Sequence, residues 1–212
     1  RRIEGNGVRI FFDVEGAKLV PDGPRMREKP TLILLHGGPG MDHSSFKPAF
    51  SQFADVAQVI YIDHRGNGRS ERGPHEAWNL AQWADDLRAF CDALDIEKPI
   101  VMGQSFGGFV AIAYATRHPE HPGKLIFSST AAQGHAHVER SIELFERAGG
   151  AEIGAMARHA PTVGYDDPEF VMRWVTQAMP FYNTRAIPDP DARSRGVQSG
   201  KVLMDFLGFG GE

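Results

Sequence analysis

The chain has 212 residues, 42% of them hydrophobic, which suffices for one sizeable buried core. Its formal net charge is −4 and its lysines and arginines are scattered, so neither a nucleic acid nor a membrane surface is an expected partner. A single cysteine excludes an internal disulfide framework, no spacing of Cys and His is typical of a zinc site, and no apolar run is long enough to cross a bilayer.

The first part of the chain predicts the strands of a mostly parallel sheet. Val8–Glu15 is rich in β-branched and aromatic residues, which favours a strand, and the polar, proline-containing stretch 21–30 predicts a loop. Four apolar runs follow at 31–35, 59–62, 99–102 and 124–128. Short runs without polar alternation are typical of strands that are covered on both faces.

Helical patterns separate these runs. Asn79 is placed to cap a helix, with Gln82 completing a capping box. The apolar residues that follow recur at three- and four-residue steps, so Trp83 and Cys91 are expected in the core. A second helix is predicted over 106–117. Strands and helices that alternate in this way predict a doubly wound α/β sheet.

The character of the sequence changes after residue 130. The segment 131–212 contains helix-like stretches at 138–148 and 168–178, and no run in it is as strand-like as those upstream. We therefore predict an α/β core over 1–130 and a helical insertion over 131–212 that covers the sheet.

Ser105 is the first candidate catalytic residue. It stands within Gly-Gln-Ser-Phe-Gly, between a predicted strand and a predicted helix, and this fits the G-x-S-x-G pattern. The glycines at Gly103 and Gly107 allow a sharp turn that exposes the serine hydroxyl. The same turn would aim the Phe106 N–H and the amino end of the helix at a developing oxyanion. The alternative is an inert serine in a turn of small residues.

Two further loops with glycines follow predicted strands. The first reads His36-Gly37-Gly38-Pro39-Gly40. Its glycines expose backbone N–H groups and its proline stiffens it, so it could supply a second oxyanion donor, with a plain glycine turn as the alternative. We interpret His36 as a structural hydrogen-bonding residue. In the second loop, over 63–70, Asp63 and Arg65 are expected to order the backbone by hydrogen bonds and an ion pair. Neither this loop nor the Ser105 turn has the pattern of a nucleotide-binding P-loop.

Taken together and in this order, the three motifs resemble the α/β-hydrolase superfamily and, within it, the proline iminopeptidase group. The resemblance implies that Ser105 is the nucleophile of a serine hydrolase and that the backbone N–H groups of Gly38 and Phe106 form the oxyanion hole. It also implies a helical cap after Ala131. The group commonly has Trp after the nucleophile, where this chain has Phe106. Glutamates of its cap hold the free amino group of the substrate, and candidates by location only are Glu139, Glu143, Glu146 and Glu169.

A serine nucleophile needs a general base, and in α/β-hydrolases an acid and then a histidine follow the serine on loops after later strands. The histidines that follow Ser105 are His118, His121, His135, His137 and His159. The aspartates of polar loops in the same region are Asp166, Asp167, Asp189 and Asp191. None of these comes after a plausible strand. We therefore expect the catalytic Asp and His to be absent from this chain and the C-terminal part of the core to need on the order of 60–90 further residues.

Three hypotheses for function remain. The first is a serine hydrolase with an acyl-enzyme on Ser105: either a proline iminopeptidase-like enzyme for amides or short peptides, or an esterase, lactonase or amidase for a small apolar acyl group. The second is a binding protein of the same fold without a working triad. The third is a catalyst that uses a histidine of the cap. None needs a metal or an organic cofactor. We expect a cytoplasmic location, and the oligomeric state stays open.

Overall fold

The computed structural model describes residues 1–132, 138–160, 167–182 and 192–203. Its strands are β1 (Arg2–Gly5), β2 (Val8–Glu15), β3 (Leu19–Asp22), β4 (Arg25–Glu28), β5 (Thr31–Leu35), β6 (Gln58–Ile62), β7 (Ile100–Gln104) and β8 (Lys124–Ser128). Six of them form the central sheet in the order β1-β2-β6-β5-β7-β8. The neighbours β6, β5, β7 and β8 run parallel, whereas β1 and β2 are antiparallel additions. The predicted mostly parallel sheet is confirmed.

Helices α1 (Leu80–Ala93) and α2 (Phe106–Arg117) cover one face of this sheet. Trp83 and Cys91 lie in the core beneath them, as predicted, with 1% and 0% of their surface exposed. On the other face, Phe46 packs with residues of β5, β6 and β7 in a separate apolar cluster. All five residues of β5 are buried, which is the burial pattern that its unbroken apolar sequence predicts.

Two local predictions need correction. Stretch 21–30 is not a plain loop, because β3 and β4 pair there as an antiparallel hairpin whose turn contains Gly23 at φ +60°. The hairpin lies outside the central sheet and its residues are mostly exposed, so it lacks the apolar alternation by which strands are recognised. At α1, the Asn79 side chain accepts from the Gln82 backbone N–H, but the Gln82 side chain donates to Asp86 instead of closing a capping box.

The later part of the chain is helical where the structure describes it. Helix α3 (Val138–His159) is longer than predicted and continues through a kink at Gly150, which has φ 82°. Helix α4 (Pro168–Arg173) leads directly into a π-helical turn over Trp174–Ala178. Apolar residues of these helices pack into a cluster of their own. The division into a core and a covering insertion stays a prediction. No helix in the described ranges is both long and apolar enough to cross a membrane.

Candidate active site

Ser105 forms the turn between β7 and α2. Its backbone has φ 51° and ψ −119°, a conformation that costs a residue other than glycine about 1–3 kcal/mol. Ser105 is exposed, although Phe106 and Gly107 directly after it are buried. Its backbone N–H donates to the carbonyl of Ser128 in β8 at 2.9 Å. The strained turn therefore presents the serine at the carboxyl edge of the sheet and at the amino end of α2, where the helix dipole favours negative charge.

Two glycines allow the strands and the helix to meet at this turn. A Cβ added to Gly103 would lie 2.2 Å from the carbonyl oxygen of Gly107. A Cβ added to Gly107 would lie 2.1 Å from the carbonyl oxygen of Leu35, at the end of β5. Both distances are far below 3.0 Å, and real Cβ atoms essentially never come that close to another heavy atom. The two glycines of the G-x-S-x-G pattern are thus required because neighbouring backbone atoms leave no room for a side chain.

The loop after β5 lies against the serine. A Cβ added to Gly37 would be 3.5 Å from Cβ of Ser105, so the backbone of this loop borders the serine side chain. Gly38 has φ +123° and Gly40 has φ +92°, and both values favour glycine. The Gly40 N–H donates to Oδ1 of Asn67 at 2.6 Å, which ties this loop to the loop after β6. The oxyanion-hole role of the Gly38 and Phe106 N–H groups stays a prediction.

Asp63 and Arg65 hold the loop after β6. The Asp63 carboxylate is fully buried and accepts from the backbone N–H of His43 at 2.9 Å and from its Nδ1 at 2.6 Å. It also accepts from the backbone N–H of Arg69 at 2.8 Å. Arg65 forms a buried bidentate ion pair with Asp86 of α1, with N···O distances of 2.6 and 2.7 Å. These contacts fix the backbone of the loop and join it to α1.

A pair of buried histidines lies beneath the serine turn. Nδ1 of His36 is 2.7 Å from the Gly37 carbonyl oxygen, and its Nε2 accepts from the backbone N–H of His64 at 3.2 Å. The two imidazole centroids are 4.4 Å apart, and the His64 ring packs edge-on against Phe106 at 5.7 Å. Burial lowers the pKa of His36, against the opposing charge of Asp63. Burial, with repulsion from His36, lowers the pKa of His64 well below its usual value. Both rings are therefore neutral supports of the turn.

Because these two histidines are buried and neutral, we expect the protein to lose stability on mild acidification. In the unfolded chain both imidazoles titrate near pH 6.5, whereas folding keeps them neutral to lower pH. Below about pH 6.5 the unfolded state thus binds more protons, so the free energy of unfolding falls as the pH falls, by up to about 1.4 kcal/mol per pH unit for each histidine. Urea unfolding measured between about pH 5 and pH 8 should show this slope.

The variant His64→Phe isolates the contribution of His64. It keeps a planar ring and the backbone N–H that His36 accepts from, so a smaller pH slope is expected. His75→Phe, at a position with 48% of its side chain exposed, is the control for replacing an imidazole and should keep the original slope. A slope unchanged by His64→Phe would contradict the explanation from burial.

Asp42, which the sequence did not single out, joins three parts of the site. It is 3% exposed and accepts from the backbone N–H of Ser44 at 3.0 Å. It also accepts from the backbone N–H of Val197 at 2.8 Å and from the guanidinium of Arg69. The same guanidinium donates to the carbonyl of Arg195 at 3.1 Å. Asp42 therefore holds the segment 192–203 against the loops that follow β5 and β6.

The carboxylates around Asp42 raise the question of a metal site. Ligand atoms of Asp42, His43 and Asp63 lie within 4.8 Å of one another. However, Arg69 contacts both carboxylates, and backbone N–H groups occupy their other oxygens. The guanidinium supplies the positive charge that these groups need, so the cluster is best described as a structural ion-pair network.

The described histidines that follow Ser105 contact other groups. Nε2 of His118 lies 2.9 Å from the Asp85 carboxylate, and His121 contacts the hydroxyl of Tyr114. Both histidines follow the far end of α2, whose 12 residues extend about 18 Å from the serine turn.

The remaining acid and base candidates belong to the later segment. The His159 ring packs against Phe170 at 4.9 Å. Asp167 caps α4, accepting from the backbone N–H of Glu169 at 2.9 Å. Outside the described residues lie His135, His137, Asp166, Asp189 and Asp191.

The glutamates predicted to bind a substrate amine lie on exposed surfaces. All four are exposed: Glu139, Glu143, Glu146 and Glu169. Glu143 pairs with Arg140 and Glu146 with Arg158, each at 2.8 Å. Ion pairs of this kind are typical of helix faces that are exposed to solvent. The amine-binding role of the glutamates stays a prediction.

Known proteins resemble this chain in sequence and in fold. A family model described as the alpha/beta hydrolase fold matches residues 30–181. A proline iminopeptidase of Lactiplantibacillus plantarum is 32% identical over 194 residues, covering 79% of this chain and 65% of that protein. Proline iminopeptidase PfmaB of Pestalotiopsis fici is 34% identical over 139 residues, covering 65% of this chain and 49% of that protein. The structure of a Mycobacterium smegmatis proline iminopeptidase matches with a TM-score of 0.70 at 23% identity, covering 96% of this chain and 69% of that one. The chain thus spans about half to two thirds of the length of these curated relatives.

Proposed function

Because the chain belongs to the alpha/beta hydrolase family and resembles proline iminopeptidases, we propose that the full-length protein is a serine hydrolase that acts through Ser105. The observation that carries the proposal is the strained, exposed serine at the amino end of α2, bordered by the backbone of Gly37. A turn serving only to connect a strand to a helix would have no need to hold a serine at φ 51°.

The proposed chemistry is acyl transfer in two steps. Oγ of Ser105 attacks the substrate carbonyl carbon while its proton passes to a general base. The N–H groups of Gly38 and Phe106 stabilise the oxyanion, and the carbonyl re-forms as the amine leaves with that proton. Water then attacks the acyl-enzyme by the same route and releases the acid. The proposal requires a histidine base and an acidic partner elsewhere in the full-length protein.

We propose that the substrate is an amide or a short peptide with an N-terminal proline-type residue. The names of the two relatives support this class, as does the resemblance of the three sequence motifs. A substrate with a free amine needs an anionic partner, and the exposed glutamates of α3 and α4 are the candidates by location. An esterase or lactonase for a small apolar acyl group is the alternative.

Three substrates, assayed on the full-length protein, distinguish the peptidase, esterase and binding-protein hypotheses. Proline β-naphthylamide is expected to be hydrolysed, whereas N-acetylproline β-naphthylamide, which lacks the free amine, should be cleaved at least about a hundredfold more slowly. A short p-nitrophenyl ester reports the esterase alternative. If both prolyl amides are inert and the ester is cleaved, the peptidase assignment fails while the hydrolase assignment stands. If none is cleaved and no serine probe reacts, a binding protein is the better description.

A further inference from the structure

The backbone of Gly40 lies just after the proposed oxyanion donor Gly38. Gly40 is buried, and a Cβ added to Gly38 would lie 3.0 Å from the Gly40 nitrogen, so the two residues pack together. Between them, Pro39 fixes one backbone torsion, whereas the torsions of a glycine are little restricted by its own sterics. The direction of the Gly38 N–H therefore depends on what holds the neighbouring backbone.

Asn67 holds the Gly40 N–H from the loop after β6. Asn67 is fully buried, and its Oδ1 accepts from that N–H at 2.6 Å. Its Nδ2 donates to the carbonyl of Arg65 at 2.7 Å. The first contact needs an acceptor and the second needs a donor, so a flipped side-chain amide would satisfy neither. The side chain therefore fits in one orientation, and in it the side chain connects the two loops.

The Arg65 carbonyl that Asn67 contacts is itself held in place. It also accepts from Nε1 of Trp83 at 3.0 Å, in the core beneath α1. The guanidinium of Arg65 forms the buried ion pair with Asp86 of α1. Asn67 thus links the loop after β5 to groups that α1 and the core fix.

The segment 192–203 holds Gly40 through its carbonyl group. The Ser199 N–H donates to the Gly40 carbonyl at 2.6 Å, and a Cβ added to Gly40 would lie 2.9 Å from the Ser199 carbonyl oxygen. Ser199 makes this hydrogen bond with its backbone, so changing its side chain would not remove it. The contact from Asn67 is made by a side chain and can be removed by mutation.

We propose that Asn67 is a positioning residue for the oxyanion hole: by holding the Gly40 N–H, it keeps the Gly38 N–H directed at the carbonyl oxygen of the substrate. This role rests on the proposed serine hydrolase function. Removing one oxyanion donor costs about 10²–10³ in kcat, so a donor that is present but misdirected should cost less, about tenfold. The loss falls on kcat because the contact strengthens as charge develops in the transition state.

Asn67→Ala in the full-length protein is expected to lower kcat about tenfold while KM changes by less than about twofold. Partial unfolding would also lower kcat, so the deciding measurement is the rate constant for labelling of Ser105 by a fluorophosphonate. In that reaction negative charge develops on the phosphonyl oxygen, which the oxyanion donors stabilise. The rate constant should fall about tenfold, whereas a loss of folded protein alone would lower only the amount of label.

Asn79→Ala is the matched control, because the Asn79 side chain makes the same two kinds of hydrogen bond. It accepts from the backbone N–H of Gln82 and donates to the carbonyl of Glu76, each at 2.9 Å. Its loss removes the cap of α1 and should lower stability without changing the labelling rate constant. Asn67→Leu keeps the branched shape of the side chain without its polar atoms. It is the second variant if Asn67→Ala is unfolded, and it should show the same fall.

Three results would count against a positioning role for Asn67. A labelling rate constant within about twofold of wild type in the Asn67 variants would overturn it and leave the hydrolase assignment standing. An equal fall in Asn79→Ala would also overturn it, because lost stability would then explain the effect. If the wild-type protein is neither labelled nor active, the proposed function fails and the role of Asn67 fails with it.

Discussion

Ser105→Ala is expected to lower kcat/KM of the full-length protein by at least about 10⁴-fold for whichever acyl substrate it cleaves. In the proposed mechanism Oγ of Ser105 forms the acyl-enzyme, so its removal would leave only substrate binding and oxyanion stabilisation. Alanine is smaller than serine and keeps the backbone N–H that donates to Ser128, so the fold is expected to survive. Initial rates under identical conditions, with melting curves for both proteins, are the measurement.

A fluorophosphonate probe gives a readout that is independent of substrate. It should form an adduct on Ser105 in the wild-type protein and none in Ser105→Ala, as seen by mass spectrometry of the digested protein. Ser45→Ala, which removes an exposed serine of the 3₁₀ helix His43–Phe46, is the matched control and should be labelled fully. Equal labelling of Ser105→Ala and wild type would contradict the assignment of Ser105 as the nucleophile.

The parts of the molecule that the sequence predicted well are those with local causes. The unbroken apolar run of β5 is buried on both faces, so its pattern alone specifies a central strand. The Ser105 turn is recognisable because Gly103 and Gly107 meet backbone atoms of adjacent elements, which leaves a pattern of small residues in the sequence. Asn79 caps α1 through a backbone N–H only three residues away.

Two of the missed features depend on distant partners, and two others are local but leave no clear pattern in the sequence. Asp42 is bound by Val197, 155 residues later, and nothing near Asp42 in the sequence signals that contact. His64 supports Phe106 only because the loop after β6 meets the amino end of α2, although β5 lies between β6 and β7 in the sheet. Gln82 turns away from the cap because Asp86, four residues later on the same helix, is within reach. The hairpin of β3 and β4 is exposed, so it has no burial pattern to read.

Gly107→Ala is the substitution expected to damage the fold most severely. Its Cβ would lie 2.1 Å from the carbonyl oxygen of Leu35 and 2.7 Å from that of His36. Both are backbone atoms at the end of β5, which is paired on both sides in the sheet and cannot yield as a flexible side chain would. Helix α2 must therefore move away from the sheet. We expect the free energy of unfolding to fall by about 3 kcal/mol or more.

Gly5→Ala is the matched control because it makes the same chemical change without the collision. Neither glycine has a positive φ, and a Cβ on Gly5 would lie 3.6 Å from Cβ of Ala89, an ordinary contact, so its effect should stay within about 1 kcal/mol. Displacement of α2 would also move the Phe106 N–H, the proposed oxyanion donor, and a shift of about 1 Å at a catalytic group can cost about a hundredfold in rate. Urea unfolding and probe labelling of both variants test the two effects separately. A Gly107→Ala protein as stable as Gly5→Ala would show that α2 can move at little cost and that the glycine is not required by packing.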